Sequence, residues 1–167
     1  MTEKLKKFIE CLTGEQKEQL KAILEVEEKP QSKVWKPDIG YKYWFVTDYG
    51  VVAFDVRSAG SNFFKWHYIS GNCFRTKEEA EFYKEKLLVT AELQRFADEH
   101  NEAVDWNEYT NNKYFLVYSY INGAITIECR SACKVSEIVF SSFEIAKQAI
   151  ETIGEERIKK YYLGVRE

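Results

Sequence analysis

Histidine, serine and paired carboxylates are the residues through which this chain could do chemistry, and their spacing decides whether it can. His67 and His100 are the only histidines, and neither has cysteine or carboxylate neighbours at the spacing of a zinc or hydrolytic motif. No serine stands in a G-x-S-x-G turn, and no glycine-rich loop could hold a phosphate. The sequence therefore predicts no catalytic residues, no metal and no cofactor, and it favours a binding function over an enzymatic one.

The cysteines are also poorly placed for chemistry, because none of them forms a C-x2-C pair. They are Cys11, Cys73, Cys129 and Cys133. Four thiols without a disulfide framework fit a reducing cytosol. The charged N-terminus lacks the apolar stretch of a secretory signal, and no apolar run reaches the roughly 18 residues that span a bilayer. We therefore expect a soluble cytoplasmic protein with no membrane contact.

Negative charge is concentrated in one predicted helix. Residues 76–112 hold four basic and ten acidic side chains, whereas the whole chain has a formal net charge of −3. Such carboxylates commonly form a solvated helix face, but a row of them can also imitate a phosphate backbone and occupy a basic nucleic-acid channel. The candidate partner-binding carboxylates are Glu78, Glu81, Glu85 and Glu92.

Aromatic residues are concentrated in two predicted strands, residues 41–47 and 63–69. Both faces of the resulting sheet are apolar, although a sheet covered by one helix needs only one apolar face. Either another part of the chain covers the second face, or that face recognises a protein or nucleic-acid bases. The candidate contact residues on this aromatic sheet are Tyr41, Tyr43, Trp66 and Tyr68.

The periodicity of apolar residues predicts an α+β protein of three parts. Residues 1–28 form a helical hairpin whose second helix begins at the capping box Thr13-Gly14-Glu15-Gln16. Its two helices pack on each other, on the body or on a second copy in a homodimer, and they bury Phe8, Ile9, Leu12, Leu20 and Leu24. Residues 34–101 and 105–167 each form three antiparallel strands followed by a helix, a βββα unit.

The two βββα units look like copies of one another. KYWFV at 42–46 recurs as KYFLV at 113–117, and Arg57-Ser58-Ala59 recurs as Arg130-Ser131-Ala132. The motif Phe74-x-Thr76-x3-Ala80 recurs as Phe140-x-Ser142-x3-Ala146. Because the order is kept, the pattern indicates a duplicated packing unit with Trp35 and Trp106 in equivalent places. The third strands are then expected at residues 63–69 and 135–140.

The segment GNCFRTKEEAEFY at residues 71–83 follows an aromatic meander, and there it resembles the AP2-like DNA-binding domain. The similarity covers about 40 residues of the first unit. It implies three antiparallel strands, a packed helix and binding to DNA. The cations available for DNA are few for a duplex reader. They are Lys42, Arg57, Lys65 and Arg75.

A wider resemblance covers residues 34–101. Its residues are W-x-P-x2-G-x-x-Y from Trp35 to Tyr43, then G-N-x-F-x-T-K-E-E-A-E from Gly71. These motifs resemble a family of uncharacterised phage and prophage proteins of low-GC Gram-positive bacteria. The resemblance implies an accessory protein that acts on a host system, and it implies no activity. We expect a non-enzymatic protein that inhibits a host protein, such as a CRISPR-Cas nuclease, by occlusion or nucleic-acid mimicry. The AP2-like DNA-binding protein is the alternative.

Overall fold

Antiparallel β-hairpins and helices alternate along the chain, which confirms the α+β class. The computed structural model describes residues 12–16, 34–134 and 137–166. The chain divides into two compact units, Met1–Lys36 and Pro37–Glu167. Within the residues described, no helix has both the length and the apolar character needed to cross a bilayer.

The second unit contains two β-hairpins, each followed by helices. Its first half comprises β1 (Lys42–Val46), β2 (Val52–Val56), α1 (Asn62–Ile69) and α2 (Lys77–His100). Its second half comprises β3 (Lys113–Ser119), β4 (Ala124–Arg130), α3 (Phe143–Ile153) and α4 (Glu155–Arg157). A π-helical turn, Ile158–Tyr162, follows α4 directly.

The capping box near the N-terminus forms as predicted. Residues 14–16 are helical. The backbone N–H of Thr13 donates to Gln16 Oε1 over 3.0 Å, and the Gln16 N–H donates to Thr13 Oγ1 over 3.4 Å. Leu12 is half-buried. The rest of the helical hairpin, including Phe8, Ile9, Leu20 and Leu24, lies outside the described residues and stays a prediction.

Within the described residues, each β-hairpin gains one additional backbone pair rather than a full third strand. Trp44 exchanges two hydrogen bonds of 2.9 and 2.8 Å with Phe74, and Tyr114 exchanges two of 3.1 and 2.8 Å with Phe140. Thr76 and Ser142 then cap α2 and α3 at the same distance beyond each bridge. The two halves thus share their strand pairing and the position at which the following helix begins. Of the predicted strand at residues 135–140, the structure describes residues 137–140, and Phe140 is the residue that pairs with the hairpin.

The predicted third strand at residues 63–69 is wrong, because this segment is helix α1. Ser61 caps the helix by accepting the N–H of Phe64 over 3.2 Å. Phe64 and His67 lie one helical turn apart, so both can face the sheet at once. A dense run of aromatic residues fits a strand and a helix equally well by composition, and the cap at Ser61 selects the helix.

When the two halves are aligned by burial and strand pairing, equivalent residues differ by one position from the match that the sequence indicates. Tyr43 and Lys113 are both buried, Trp44 and Tyr114 are both half-buried and form the bridges, and Phe45 and Phe115 are both buried. In the sequence match KYWFV/KYFLV, Tyr43 would correspond to Tyr114 instead. Because side chains alternate between the faces of a strand, that alignment would place equivalent residues on opposite faces.

Helix α2 packs against both halves of the second unit. Ala80 near its start is fully buried, and Tyr83 contacts Phe74 with 4.9 Å between ring centroids. Farther along α2, Val89 and Leu93 join the main hydrophobic core. Helix α2 therefore has two neighbours, the first β-hairpin and the main core, as a helix that is apolar on more than one side requires. The other buried core residues are Ala97, Leu116, Phe140, Ala146, Ala149, Ile153 and Ile158.

Candidate functional site

Helix α1 is fixed to the first β-hairpin by its inner side. The ring of Phe64 meets the buried Tyr43 edge-on at 5.3 Å between centroids. The His67 ring stacks on Phe45 at 4.1 Å. These contacts cover the sheet face that carries Tyr43 and Phe45. The aromatic segment that the sequence predicts as a third strand is therefore a helix that covers one of the two apolar faces of the sheet.

Large apolar side chains are exposed along α1, and one of them, Phe63, also contacts Phe45 and His67 with 5.5 and 4.2 Å between ring centroids. Phe63 is 53% exposed, Trp66 70% and Ile69 63%. Their spacing of three residues keeps them along one flank of the helix. We call these three residues the α1 surface. A group of large apolar side chains exposed together on an anchored helix is typical of an interaction site.

A polar network closes the inner side of α1. The Tyr43 hydroxyl lies 3.2 Å from His67 Nδ1 and 3.5 Å from Asp55 Oδ2. With neutral His67, the hydroxyl can donate to Nδ1. With protonated His67, Nδ1 donates to the hydroxyl, which then donates to Asp55. Burial raises the pKa of Tyr43 to about 12, and the charge of Asp55 adds to this effect.

This network makes stability depend on pH. Burial lowers the pKa of His67 from its usual 6.5, although Asp55 and Asp48 oppose the shift. The folded state therefore binds the proton less tightly than the unfolded chain does. The contribution of neutral His67 to the free energy of unfolding is complete above pH 6.5 and decreases as the pH falls below that value.

We expect the urea midpoint to fall more between about pH 7.5 and about pH 5.5 in the wild type than in His67→Gln. Equal falls in both proteins would contradict this expectation.

The four aromatic candidates have different environments. Tyr43 is fully buried and cannot touch a partner, whereas Tyr41 is 65% exposed. Trp66 is exposed, but on a helix rather than on the predicted strand. Tyr68 is half-buried and stacks on Phe64 with 5.8 Å between centroids. Trp66 and Tyr41 are therefore the two candidates open to contact.

The acidic candidates are partly neutralised within the chain. Glu92 accepts two hydrogen bonds from the Arg157 guanidinium over 2.8 and 3.2 Å. Glu85 lies 3.8 Å from the same guanidinium, and Glu81 lies 2.9 Å from Lys77 Nζ. Glu78 is exposed at the start of α2, where its own backbone N–H and the Thr76 hydroxyl lower its pKa. A continuous row of unpaired carboxylates is absent from the described part of α2.

The four candidate cations do not share a face. Lys42 Nζ lies 4.1 Å from the Trp44 ring centroid and 3.6 Å from that of Phe54. Arg57 donates to the Pro37 carbonyl and lies 4.8 Å from the Phe64 ring, on the α1 side of the sheet. Lys65 and Arg75 are exposed on α1 and on the segment before α2.

The remaining titratable candidates show no convergence on a site. Burial raises the pKa of the Cys73 thiol to about 11, which makes it a poor nucleophile. Cys129 and Cys133 are exposed, and Cys11 lies outside the described residues. The His100 imidazole stacks on Phe96 at 4.0 Å. Across residues 12–16, 34–134 and 137–166, no three histidine, cysteine or carboxylate side chains could hold one metal ion.

A cleft that sequence reasoning missed runs between α2 and the C-terminal segment. Its volume is about 1080 Å³, and four aromatic residues help to line it. They are Phe74, Phe82, Tyr83 and Tyr118. Its walls come from Phe74 of the first bridge, the first half of α2, the second β-hairpin and residues 156–166. A spacing rule within one segment could not have found it, because its walls are far apart in sequence.

No protein-family model matches the chain, and neither a curated protein nor a solved structure matches it.

Proposed function

We propose that this chain is a non-enzymatic binding protein that covers a functional surface of a partner protein with its α1 surface. The observation that carries the proposal is the 70% exposure of Trp66 on a helix whose opposite side is locked to the sheet. Tryptophan is among the residues that most often dominate binding energy at protein interfaces. The proposal therefore centres on Trp66, flanked by Phe63 and Ile69.

The rigidity of α1 supports this role. Its inner side is held by ring contacts to Tyr43 and Phe45, and its first turn is capped by Ser61. A surface that is already ordered loses little conformational entropy when it binds. The α1 surface can therefore contribute most of its contact energy to affinity.

Occlusion fits the charges better than nucleic-acid mimicry does. A mimic needs carboxylates that are free to meet the basic groups of a channel. Glu85 and Glu92 are instead turned to Arg157, and Glu81 is paired with Lys77. Contact through apolar side chains requires no such free charge.

A host protein is the partner we propose, from the resemblance to phage and prophage proteins. A nuclease of a defence system such as CRISPR-Cas is the corresponding target, blocked sterically. The AP2-like alternative has weaker support, because Lys42 and Arg57 lie on opposite faces of the first hairpin and a duplex reader needs its cations on one face.

The experiment is a capture of host proteins from a bacterial lysate by wild type, Trp66→Arg and the matched control Tyr120→Arg. Tyr120 is 91% exposed at the tip of the second β-hairpin, so both substitutions are tolerable for folding. Loss of a central tryptophan costs about 2–4 kcal/mol, so we expect affinity for the captured protein to fall roughly 30- to 1000-fold for Trp66→Arg only. Equal capture by all three proteins would refute a role for the α1 surface.

Charge reversal of the acidic helix separates occlusion from mimicry. We expect Glu78→Lys/Glu81→Lys to change capture of the same protein by less than about threefold, because rim charges contribute little to affinity. Loss of capture in this variant, with Trp66→Arg unaffected, would establish mimicry instead.

A further inference from the structure

We propose that the cleft between α2 and the C-terminal segment, here called the α2 cleft, binds a nucleotide. The ligand chemistry is a planar base joined to at least one phosphate, either free or at the end of a nucleic-acid strand. A volume of about 1080 Å³ is sufficient for such a molecule. The α2 cleft lies apart from Trp66 and the rest of the α1 surface, so this inference goes beyond the proposed function.

The aromatic lining supplies stacking partners for a base. Phe82 is held by Tyr161 at 5.2 Å between ring centroids, and Tyr83 is held by Phe74 at 4.9 Å. Tyr118 lines the α2 cleft from the second β-hairpin. Rings fixed by neighbours provide stacking surfaces that need little ordering when a base arrives.

The basic lining supplies charge for the phosphate. Lys159 is already engaged, because its ammonium lies 2.8 Å from Glu155 and 3.1 Å from Glu156. Lys86, Lys160 and Arg166 also line the α2 cleft, and the ion pairs of the described residues include none of these three. Three such cations in a cleft that is also lined by aromatic rings favour an anion that carries an aromatic group.

The carboxylates of the α2 cleft restrict which anion fits. Glu79 accepts the backbone N–H groups of Arg75 and Thr76 over 2.9 and 3.3 Å, so its charge is engaged at the start of α2. Glu156 is paired with Lys159. Glu78 is exposed and can accept hydrogen bonds from the amino group of a base, as carboxylates do in base recognition. The combination disfavours a bare inorganic anion and favours a nucleotide.

Calorimetric titration of the full chain in about 150 mM salt tests this inference. The probes are AMP, ribose 5-phosphate and inorganic phosphate. We expect AMP to bind at least about tenfold more tightly than ribose 5-phosphate, because only AMP can stack. We expect inorganic phosphate to bind more weakly still. AMP affinity equal to that of inorganic phosphate, or no AMP binding at millimolar concentration, would overturn the inference.

A short 5′-phosphorylated oligoadenylate distinguishes the two sources of the ligand. Tighter binding of this strand than of AMP, lost when its 5′-phosphate is removed, assigns the α2 cleft to a strand end. Tighter binding of AMP assigns it to a free nucleotide.

Paired substitutions locate the binding site. Lys86→Ala/Arg166→Ala removes two exposed cations from the α2 cleft, and we expect it to weaken AMP binding at least about tenfold. The control Arg95→Ala/Lys134→Ala removes the same charge from two exposed positions outside the cleft, and we expect a change of less than about twofold. Equal weakening by the two pairs would overturn the assignment, since it would mean that net charge alone attracts the nucleotide. Thermal unfolding of both variants checks that their folds are intact.

Discussion

Phe140→Ala is expected to lower the free energy of unfolding by about 3–5 kcal/mol, the cost typical of emptying a buried aromatic site. Phe140 is 1% exposed and belongs to the main hydrophobic core. Its backbone also pairs with Tyr114 through two hydrogen bonds. Removing the ring leaves a cavity beside the point where the second β-hairpin meets α3. Urea denaturation of wild type and variant measures the change.

Phe74→Ala is the matched control, because Phe74 occupies the equivalent position in the first half. Phe74 forms the same kind of bridge, with Trp44, but it is only half-buried. We expect it to cost about 1–2 kcal/mol, since the loss scales with the apolar area that is buried. Equal losses at the two positions would contradict the view that the main core lies around Phe140.

Lys113→Met is expected to cost about 2–4 kcal/mol, although the substitution replaces a charged side chain by an apolar one of similar length. Lys113 is 4% exposed, and its ammonium donates to the carbonyls of Glu108, Asn111 and Ser131 over 3.3, 3.1 and 3.2 Å. Methionine would fill the space but leave three acceptors without this donor. The free energy of unfolding should fall accordingly.

The control for this substitution is Lys134→Met, at an exposed position in the same half of the molecule. We expect it to change stability by no more than about 0.5 kcal/mol. Should Lys113→Met prove neutral or stabilising, the three carbonyls would have to be satisfied by water, and the ammonium would not be what holds residues 108–113 to Ser131.

Features set by neighbouring residues could be predicted from the sequence. The capping box at Thr76 forms with Glu79, and Ser142 accepts the N–H of Ile145 over 3.2 Å. These features involve contacts within four residues, so local chemistry determines them.

Features set by distant contacts could not be predicted. The structural alignment of the two halves differs by one residue from the sequence match of KYWFV with KYFLV. It depends on which face of each strand meets the core, and the similarity of the two segments does not indicate that face. The engagement of Glu92 depends on Arg157, which is 65 residues away along the chain. The sequence predicts that Trp66, a candidate contact residue, lies on a strand, whereas it lies on helix α1, because aromatic content alone does not separate a strand from a helix.

The two-sided character of α1 has a consequence for how this protein can change over time. Phe64 and His67 hold the helix to the sheet, while Trp66 and Ile69 meet solvent. Under the proposed function, substitutions in the outer pair would alter what the α1 surface recognises, with little effect on folding because both side chains are exposed. The proposed binding specificity and the folding of the chain would then depend on separate side chains of one short helix. A protein built in this way can follow a partner that keeps changing its own surface, without rebuilding its core at each step.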